Sequence, residues 1–301
     1  MELADKIVLL TGVTGFVGSR VVQPLLQAGM HVRALVRRPV AMAGMEPVLG
    51  DMLDPPVVQR AAAGAALVVH CAGALRKSRE ESMRVNVEGT RLLLEAALQG
   101  GCIRFLHMST AAVYAFNDRA MVDEATPFRQ EGSVYALSKV AAEQAVWACH
   151  ALGLPVTVLR PYYILGGHPT SIWSTLFAQQ LLQGKYALQG NGQESWPYVH
   201  VDNLAEAVVL AARSARAVGQ AYNIVDGQTT AQAFTDHFRQ WLALEPLPSQ
   251  PAAVPWCGRL SGGKAVRELG YVPRVTYAEA LVETERYLRE SGIIQREGQV
   301  S

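Results

Sequence analysis

Tyr135 and Lys139 stand four residues apart in an alanine-rich segment, 133–152, with helical spacing, so the phenol and the ammonium share one face a turn apart. A tyrosine titrates near ~10 and is a poor base at neutral pH, but a neighbouring cation favours its phenolate. Tuned in this way, it passes a proton to or from a substrate oxygen. Thr110 lies just past an apolar strand at 103–108 and offers a neutral hydroxyl to hold the same oxygen. Tyr-x-x-x-Lys alone also describes an ordinary surface pair on a helix, so its meaning rests on the elements that position it.

Those elements begin at residues 7–18, where an apolar run breaks into Gly12, Gly15 and Gly18 and resumes as a helical pattern through Val21, Val22, Leu25 and Leu26. Gly12 suits a turn closed to residues with a Cβ, Gly15 admits a pyrophosphate close to the backbone, and Gly18 lets the helix pack on the strand. The free N–H groups at the start of that helix favour phosphate, which makes this a dinucleotide turn. Strands at 31–36, 47–49, 66–70, 103–108 and 156–159 alternate with helices at 55–63, 82–99 and 133–152. This alternation predicts an α/β fold: a Rossmann-type, doubly wound parallel sheet with a ligand at its carboxyl edge. After Gly166 the pattern changes to a smaller, mainly helical C-terminal substrate lobe. Residues 1–166 are expected to form the dinucleotide-binding domain, with 198–226 returning to it, and 167–197 and 227–301 the lobe. The prolines at 246, 248, 251 and 255 mark an irregular stretch.

The 301 residues, half of them hydrophobic, can build a large core, and a formal net charge of +1 leaves no basic surplus for a nucleic-acid partner. Cys71, Cys102, Cys149 and Cys257 are far apart without metal-ligand spacing, so they read as reduced thiols and no metal is expected. No apolar run is long enough for a membrane span, and the chain is expected to be cytoplasmic with a small-molecule substrate.

Eight pieces in order resemble the extended short-chain dehydrogenase/reductases of the NAD-dependent epimerase/dehydratase type. They are Thr11-Gly12-Val13-Thr14-Gly15-Phe16-Val17-Gly18, Gly50-Asp51-Met52-Leu53-Asp54, His70-Cys71-Ala72-Gly73, Asn86-Val87-Glu88-Gly89-Thr90, Ser109-Thr110-Ala111-Ala112-Val113-Tyr114, Tyr135-Ala136-Leu137-Ser138-Lys139, Leu159-Arg160-Pro161 and Tyr198-Val199-His200-Val201-Asp202-Asn203. The resemblance implies a catalytic set of Thr110, Tyr135 and Lys139, with Thr110 selected over Ser109 by its distance from Tyr114. It places the cofactor on Gly12, Thr14, Gly15, Phe16, Val17 and Gly18, its adenine at Asp51 and Met52, and its nicotinamide side at Ala72 and Gly73. Lys139 would bind the ribose, and the chain after Pro161, through Tyr163, the carboxamide. Asp51 could equally be a turn aspartate, His70 a packed strand-end histidine and Asn86 a hydrogen-bonding residue inside a helix. The family's usual contact surface, the helices near 82–99 and 133–152, makes a homodimer one expectation.

An acid closing the second strand would bind the ribose diol of NAD, but the chain has Val36-Arg37-Arg38 there, which favours the 2′-phosphate of NADP, with NAD as the alternative. Dehydratases of this family resemble Thr-Asp-Glu at the catalytic threonine; here Ala111 and Ala112 follow Thr110. Nucleotide-sugar enzymes carry an asparagine where Tyr163 stands and an arginine within the segment occupied by Glu194-Ser195-Trp196-Pro197. Tyr162, Tyr163, Ile172, Trp173, Leu176, Phe177 and Trp196 instead give aromatic and apolar matter, as in the hydroxysteroid-dehydrogenase and ketone-reductase branches. The expected reaction is hydride transfer between the nicotinamide and a moderately hydrophobic ketone, aldehyde or alcohol. A nucleotide-sugar epimerase with tightly bound NAD is the alternative, and a non-catalytic cofactor-sensing protein a third.

Overall fold

Strand and helix alternate from the first apolar run of the chain, in a computed structural model that describes residues 3–116, 120–251 and 258–294. Pro255 and Cys257 lie outside the described residues. The first half gives β1 (Ile7–Thr11), α1 (Phe16–Gln27), β2 (His31–Val36), β3 (Met45–Leu49), α2 (Pro55–Ala62), β4 (Leu67–His70), α3 (Arg79–Met83), α4 (Gly89–Gln99), β5 (Arg104–Met108), β6 (Met121–Val122), α5 (Val134–Ala151) and β7 (Val156–Pro161). The second gives β8 (Tyr163–Leu165), α6 (Phe177–Leu182), β9 (Leu188–Gln189), β10 (Ser195–His200), α7 (Val201–Arg213), β11 (Gln220–Ile224), β12 (Gly227–Thr230), α8 (Ala231–Trp241), β13 (Ser249–Gln250), β14 (Arg259–Leu260), α9 (Gly263–Leu269) and α10 (Tyr277–Glu290).

Seven strands form one parallel sheet in the order β11-β7-β5-β4-β1-β2-β3. The chain leaves β1 in one direction towards β3 and then crosses back to β4, so the crevice for a ligand opens at the carboxyl ends of β1 and β4. Val8, Leu9, Leu10, Leu67 and Val68 are fully buried because helices cover both faces. One layer packs on residues of α1 and α7, the other on α2, α4 and α5. Each Leu or Val enclosed this way contributes about 1.5–3 kcal/mol.

The helix expected over 82–99 is α3 and α4 joined by a π turn at Arg84–Glu88, which buries Asn86. Within 198–226, the span expected to return to the first domain, β11 joins the parallel sheet, pairing Gln220–Ile224 with Thr157–Pro161. β10 is the middle strand of a separate sheet, β12-β10-β8. The edge of β7 is already taken by β11, so the chain after Pro161 starts a second sheet with β8. Cys102 is buried and Cys71 and Cys149 partly so, all three as free thiols. Among the described residues no helix is long and apolar enough to cross a membrane.

Candidate active site

The glycine turn is shaped by backbone contact. Gly12 has φ +77°, and a Cβ on it would stand 2.6 Å from the Ala72 nitrogen; one on Gly18 would stand 2.2 Å from the Gly12 carbonyl oxygen. Only glycine lets β1, the exit of β4 and α1 come this close. α1 follows Gly15 with no side-chain cap and no acid in its first turn, so the N–H groups of Phe16, Val17 and Gly18 remain open to an anion. Thr14, Arg37 and Arg38 line a cavity of about 580 Å³, with both arginines exposed. These features fit a dinucleotide.

The remaining expected cofactor residues differ in setting. Asp51 is exposed and its Oδ1 accepts the Leu53 N–H at 3.0 Å, a turn role that leaves its other oxygen free. Met52 packs on α4, where a Cβ on Gly89 would lie 2.4 Å from its Cε. The Ala72 N–H donates to Thr11 Oγ1 at 3.2 Å, and Gly73 is exposed beside Asn86. Thr11 Oγ1 lies 2.7 Å from His70 Nδ1, and His70 Nε2 lies 2.9 Å from Thr90 Oγ1, which donates to the Asn86 carbonyl. Burial lowers the His70 pKa to about 3, so this imidazole is a neutral strand-end link.

Thr110 leaves β5 and caps a short turn at Ala111–Val113, its Oγ1 accepting the Ala112 N–H at 3.2 Å. Tyr135 lies in the first turn of α5, which Ser133 caps, and its phenol is close enough to the Thr110 side chain to feel its hydroxyl. Burial pushes the phenol up to about 12, and the nearby Thr110 hydroxyl works against that rise. Lys139 is 4% exposed, and its Nζ donates to the Met108 carbonyl at 2.7 Å and to His107 Nε2 at 3.3 Å. Burial lowers its pKa to about 8, opposed by the Glu143 carboxylate. His107 is held neutral by burial and by Lys139, so its Nε2 accepts; one N–H of the ammonium is left for a ligand. The structure thus brings Thr110, Tyr135 and Lys139 together.

Beneath them runs a buried polar network that the motifs did not reveal. Ser109 Oγ donates to Glu143 Oε2 at 2.6 Å, which commits that O–H, whereas Thr110 Oγ1 only accepts the Ala112 N–H and keeps its O–H to donate. Glu143 is fully buried, accepts Trp147 Nε1 at 3.1 Å and is ion-paired with Arg160. Arg160 Nη1 reaches the Tyr114 hydroxyl at 2.6 Å, which donates to Asn223 Oδ1 at 2.8 Å. Glu143 falls four residues after Lys139 on α5, a spacing legible in the sequence; Asn223 and His107 carried no signal. Asn86 Nδ2 donates to the Ala74 carbonyl at 2.9 Å and to Ser138 Oγ at 2.8 Å, and Ser138 donates to the Tyr135 carbonyl at 2.7 Å. Asn86 therefore fixes the loop after β4 to the helix of Tyr135.

Pro161 ends β7 in a buried position, and Tyr163 follows in β8. The Tyr163 ring lies 4.2 Å from Tyr162 and 4.5 Å from both Trp173 and Trp196, so the side chain expected at the carboxamide joins an aromatic pile. Trp196 is 2% exposed and also meets Phe234 at 4.5 Å, while Phe177 is 1% exposed. These two are core; Tyr162, Tyr163 and Trp173 are half-buried, as are Ile172 and Leu176. The lobe is tied to α1 by Arg20, which pairs with Asp202 and Glu283 at 3.2 Å each and donates to the Gly167 carbonyl at 3.3 Å. His200, Asp202 and Glu283 have the spacing of metal ligands, but the Arg20 guanidinium already supplies their positive charge.

Comparison with known proteins places this arrangement. The family described as "NAD dependent epimerase/dehydratase" matches residues 8–225. The 4-hydroxy-2-methyl-3-oxo-4-farnesyl-3,4-dihydroquinoline-1-oxide ketoreductase of Stigmatella aurantiaca is 30% identical, over 90% of this chain and 93% of the relative. A dTDP-glucose 4,6-dehydratase of Streptomyces antibioticus is 32% identical, over 94% of this chain and 92% of its own length. The crystal structure of the dTDP-glucose 4,6-dehydratase DesIV of Streptomyces venezuelae, with NAD bound, superposes with a TM-score of 0.82 at 28% identity, covering 95% of this chain and 98% of that one. With its parallel sheet, glycine turn and matched span, the chain belongs to the NAD-dependent epimerase/dehydratase family and is an enzyme of the extended short-chain dehydrogenase/reductase type.

Proposed function

We propose that this enzyme is a reductase or alcohol dehydrogenase preferring NADP, with a moderately hydrophobic ketone, aldehyde or alcohol as substrate. The observation that carries this reading is the aromatic pile of Tyr163, Trp173 and Trp196, which stands where a nucleotide-sugar enzyme needs polar donors for its diphosphate. Dehydration is disfavoured because Ala111 and Ala112 supply no acid or base beside Thr110. The ketoreductase from Stigmatella aurantiaca, named for a ketone on a farnesylated ring, accords with this choice.

The bound nicotinamide cofactor supplies or accepts the hydride. Thr110 donates a hydrogen bond to the substrate oxygen, and Tyr135 delivers its proton. With its pKa near 12 the free phenol is protonated at neutral pH, the form needed to reduce a carbonyl. Lys139 holds the ribose hydroxyls with its remaining N–H and stabilises a phenolate when the direction is oxidation. Arg37, exposed beside Thr14, receives the 2′-phosphate. Gly12, Thr14, Gly15, Phe16, Val17 and Gly18 hold the pyrophosphate, Asp51 and Met52 the adenine, and Ala72, Gly73, Pro161 and Tyr163 the nicotinamide end.

The test is NADPH oxidation with a panel of ketones, set against NAD-dependent interconversion of nucleotide sugars. Turnover of a ketone that falls about 10²–10⁴-fold in Tyr135→Phe, with cofactor affinity retained, supports the assignment. Full activity of that variant, or sugar epimerisation without net cofactor turnover, refutes it.

A further inference from the structure

The loop between β6 and α5 carries an arginine that none of these roles uses. Its backbone is firmly set: the Arg129 N–H donates to the Val113 carbonyl at 2.8 Å, and the Ala115 N–H to the Pro127 carbonyl at 3.0 Å. Phe128 packs under the Arg160 guanidinium at 5.3 Å, so alternation along this extended pair sends Arg129 to the opposite face. There its guanidinium lies against Gly132: a Cβ on that glycine would stand 2.9 Å from Nη1 and 3.0 Å from Cζ, and the glycine's φ is +135°. Gly132 precedes the Ser133 cap of α5 and is three residues from Tyr135.

The Arg129 charge also acts on the Tyr162 hydroxyl, drawing that phenol down against the rise caused by burial. Arg129 Nε is buried without an acceptor, and no ion pair among the described residues includes this guanidinium. A sealed donor without a partner is unfavourable, and a carboxylate would satisfy the fork with two parallel bonds.

We propose that Arg129 anchors an oxyanion on the substrate, so that the compound reduced here is a keto acid or a related carbonyl compound with one delocalised negative charge on an apolar body. The proposal rests on the reductase reading. One guanidinium suits a monoanion, whereas a diphosphate draws several cationic donors. Arg129 sets specificity and takes no part in proton or hydride movement.

The experiment compares aryl keto acids with their methyl esters, using the cofactor-loaded full chain and the variants Arg129→Met and Arg129→Lys. The wild type should prefer each acid at least tenfold in kcat/KM. Arg129→Met should erase that preference by raising KM for the acid, and Arg129→Lys should restore part of it. Equal selectivity in wild type and Arg129→Met overturns the proposal. If the wild type reduces neither compound, the reductase reading fails and binding decides the anchor, read as quenching of tryptophan fluorescence by an aryl carboxylate or by UDP. Arg129-dependent binding of the carboxylate sustains the anchor; binding of UDP alone, or no dependence on Arg129, overturns it.

Discussion

The glycine turn and the aromatic cluster of the C-terminal lobe, here the cofactor wall and the substrate wall of the proposed site, are built by opposite means. On the cofactor wall the shape comes from backbone: Gly12 and Gly18 permit contacts that any Cβ would obstruct, and the open start of α1 faces the ligand with N–H groups. In the lobe proposed to hold the substrate, the shape comes from large side chains: half-buried Tyr163 and Trp173 rest on the buried rings of Trp196, Phe177 and Phe234. A backbone-made wall admits one kind of ligand, because few sequences can reproduce it. A side-chain-made wall is redesigned by exchanging rings for charges, which is how one platform serves both sugar nucleotides and less polar ketones.

If the walls are separate, damage to one should spare the other. Trp196→Ala empties a nearly sealed site and is expected to destabilise the fold by about 3–5 kcal/mol while NADPH affinity stays unchanged, as chemical denaturation and cofactor titration would register. Loss of cofactor affinity in this variant would show that the walls are coupled, with Tyr163 as the direct link. Gly18→Ala is the converse: forcing a methyl against the Gly12 carbonyl should cost about 1–3 kcal/mol and weaken cofactor binding, leaving Trp196 fluorescence native-like.

Smaller effects sharpen the comparison within the cofactor wall. Removing a charged hydrogen-bond donor from phosphate costs about 1.5–3 kcal/mol, so Arg37→Asp should weaken NADPH binding at least tenfold and favour NADH; unchanged affinity for both would remove the 2′-phosphate from this arginine. The gentlest probe is pH. Lys139 titrates near 8 in the fold and in the ordinary lysine range when unfolded, so between those values the unfolded chain binds more protons and stability rises with pH. Over the same window the ammonium is lost and the cofactor KM should climb. Both trends should vanish in Lys139→Met; a wild-type KM flat from pH 7 to pH 9.5 would separate Lys139 from the ribose.

Much of this was legible because it is local. The turn at Gly12 to Gly18, the helix pairing Tyr135 with Lys139 and the alternation of strand and helix each depend on residues within about twenty positions of one another. The capping box of Thr276 and Glu279 at α10 is of the same kind. Other features were hidden because their partners are distant in the chain. Ser109 looks as able as Thr110 until Glu143 is seen to hold it at 2.6 Å, and Asn223 matters only because β11 lies beside β7 under Tyr114. The strand at β10 has ordinary strand composition, and nothing in it says which sheet it enters.

By itself, then, the sequence determined the backbone: periodicity sets the elements, and glycines mark where the chain must approach itself or a phosphate. Tertiary structure alone decided which polar side chains are spent and which are free. Ser109 and Arg20 are consumed by carboxylates brought from far along the chain, while among the described residues Thr110, Arg37 and Arg129 are left without one. The physical reason is that the partner of a charge or a hydroxyl is chosen by three-dimensional proximity and burial, neither of which is encoded in spacing along the chain.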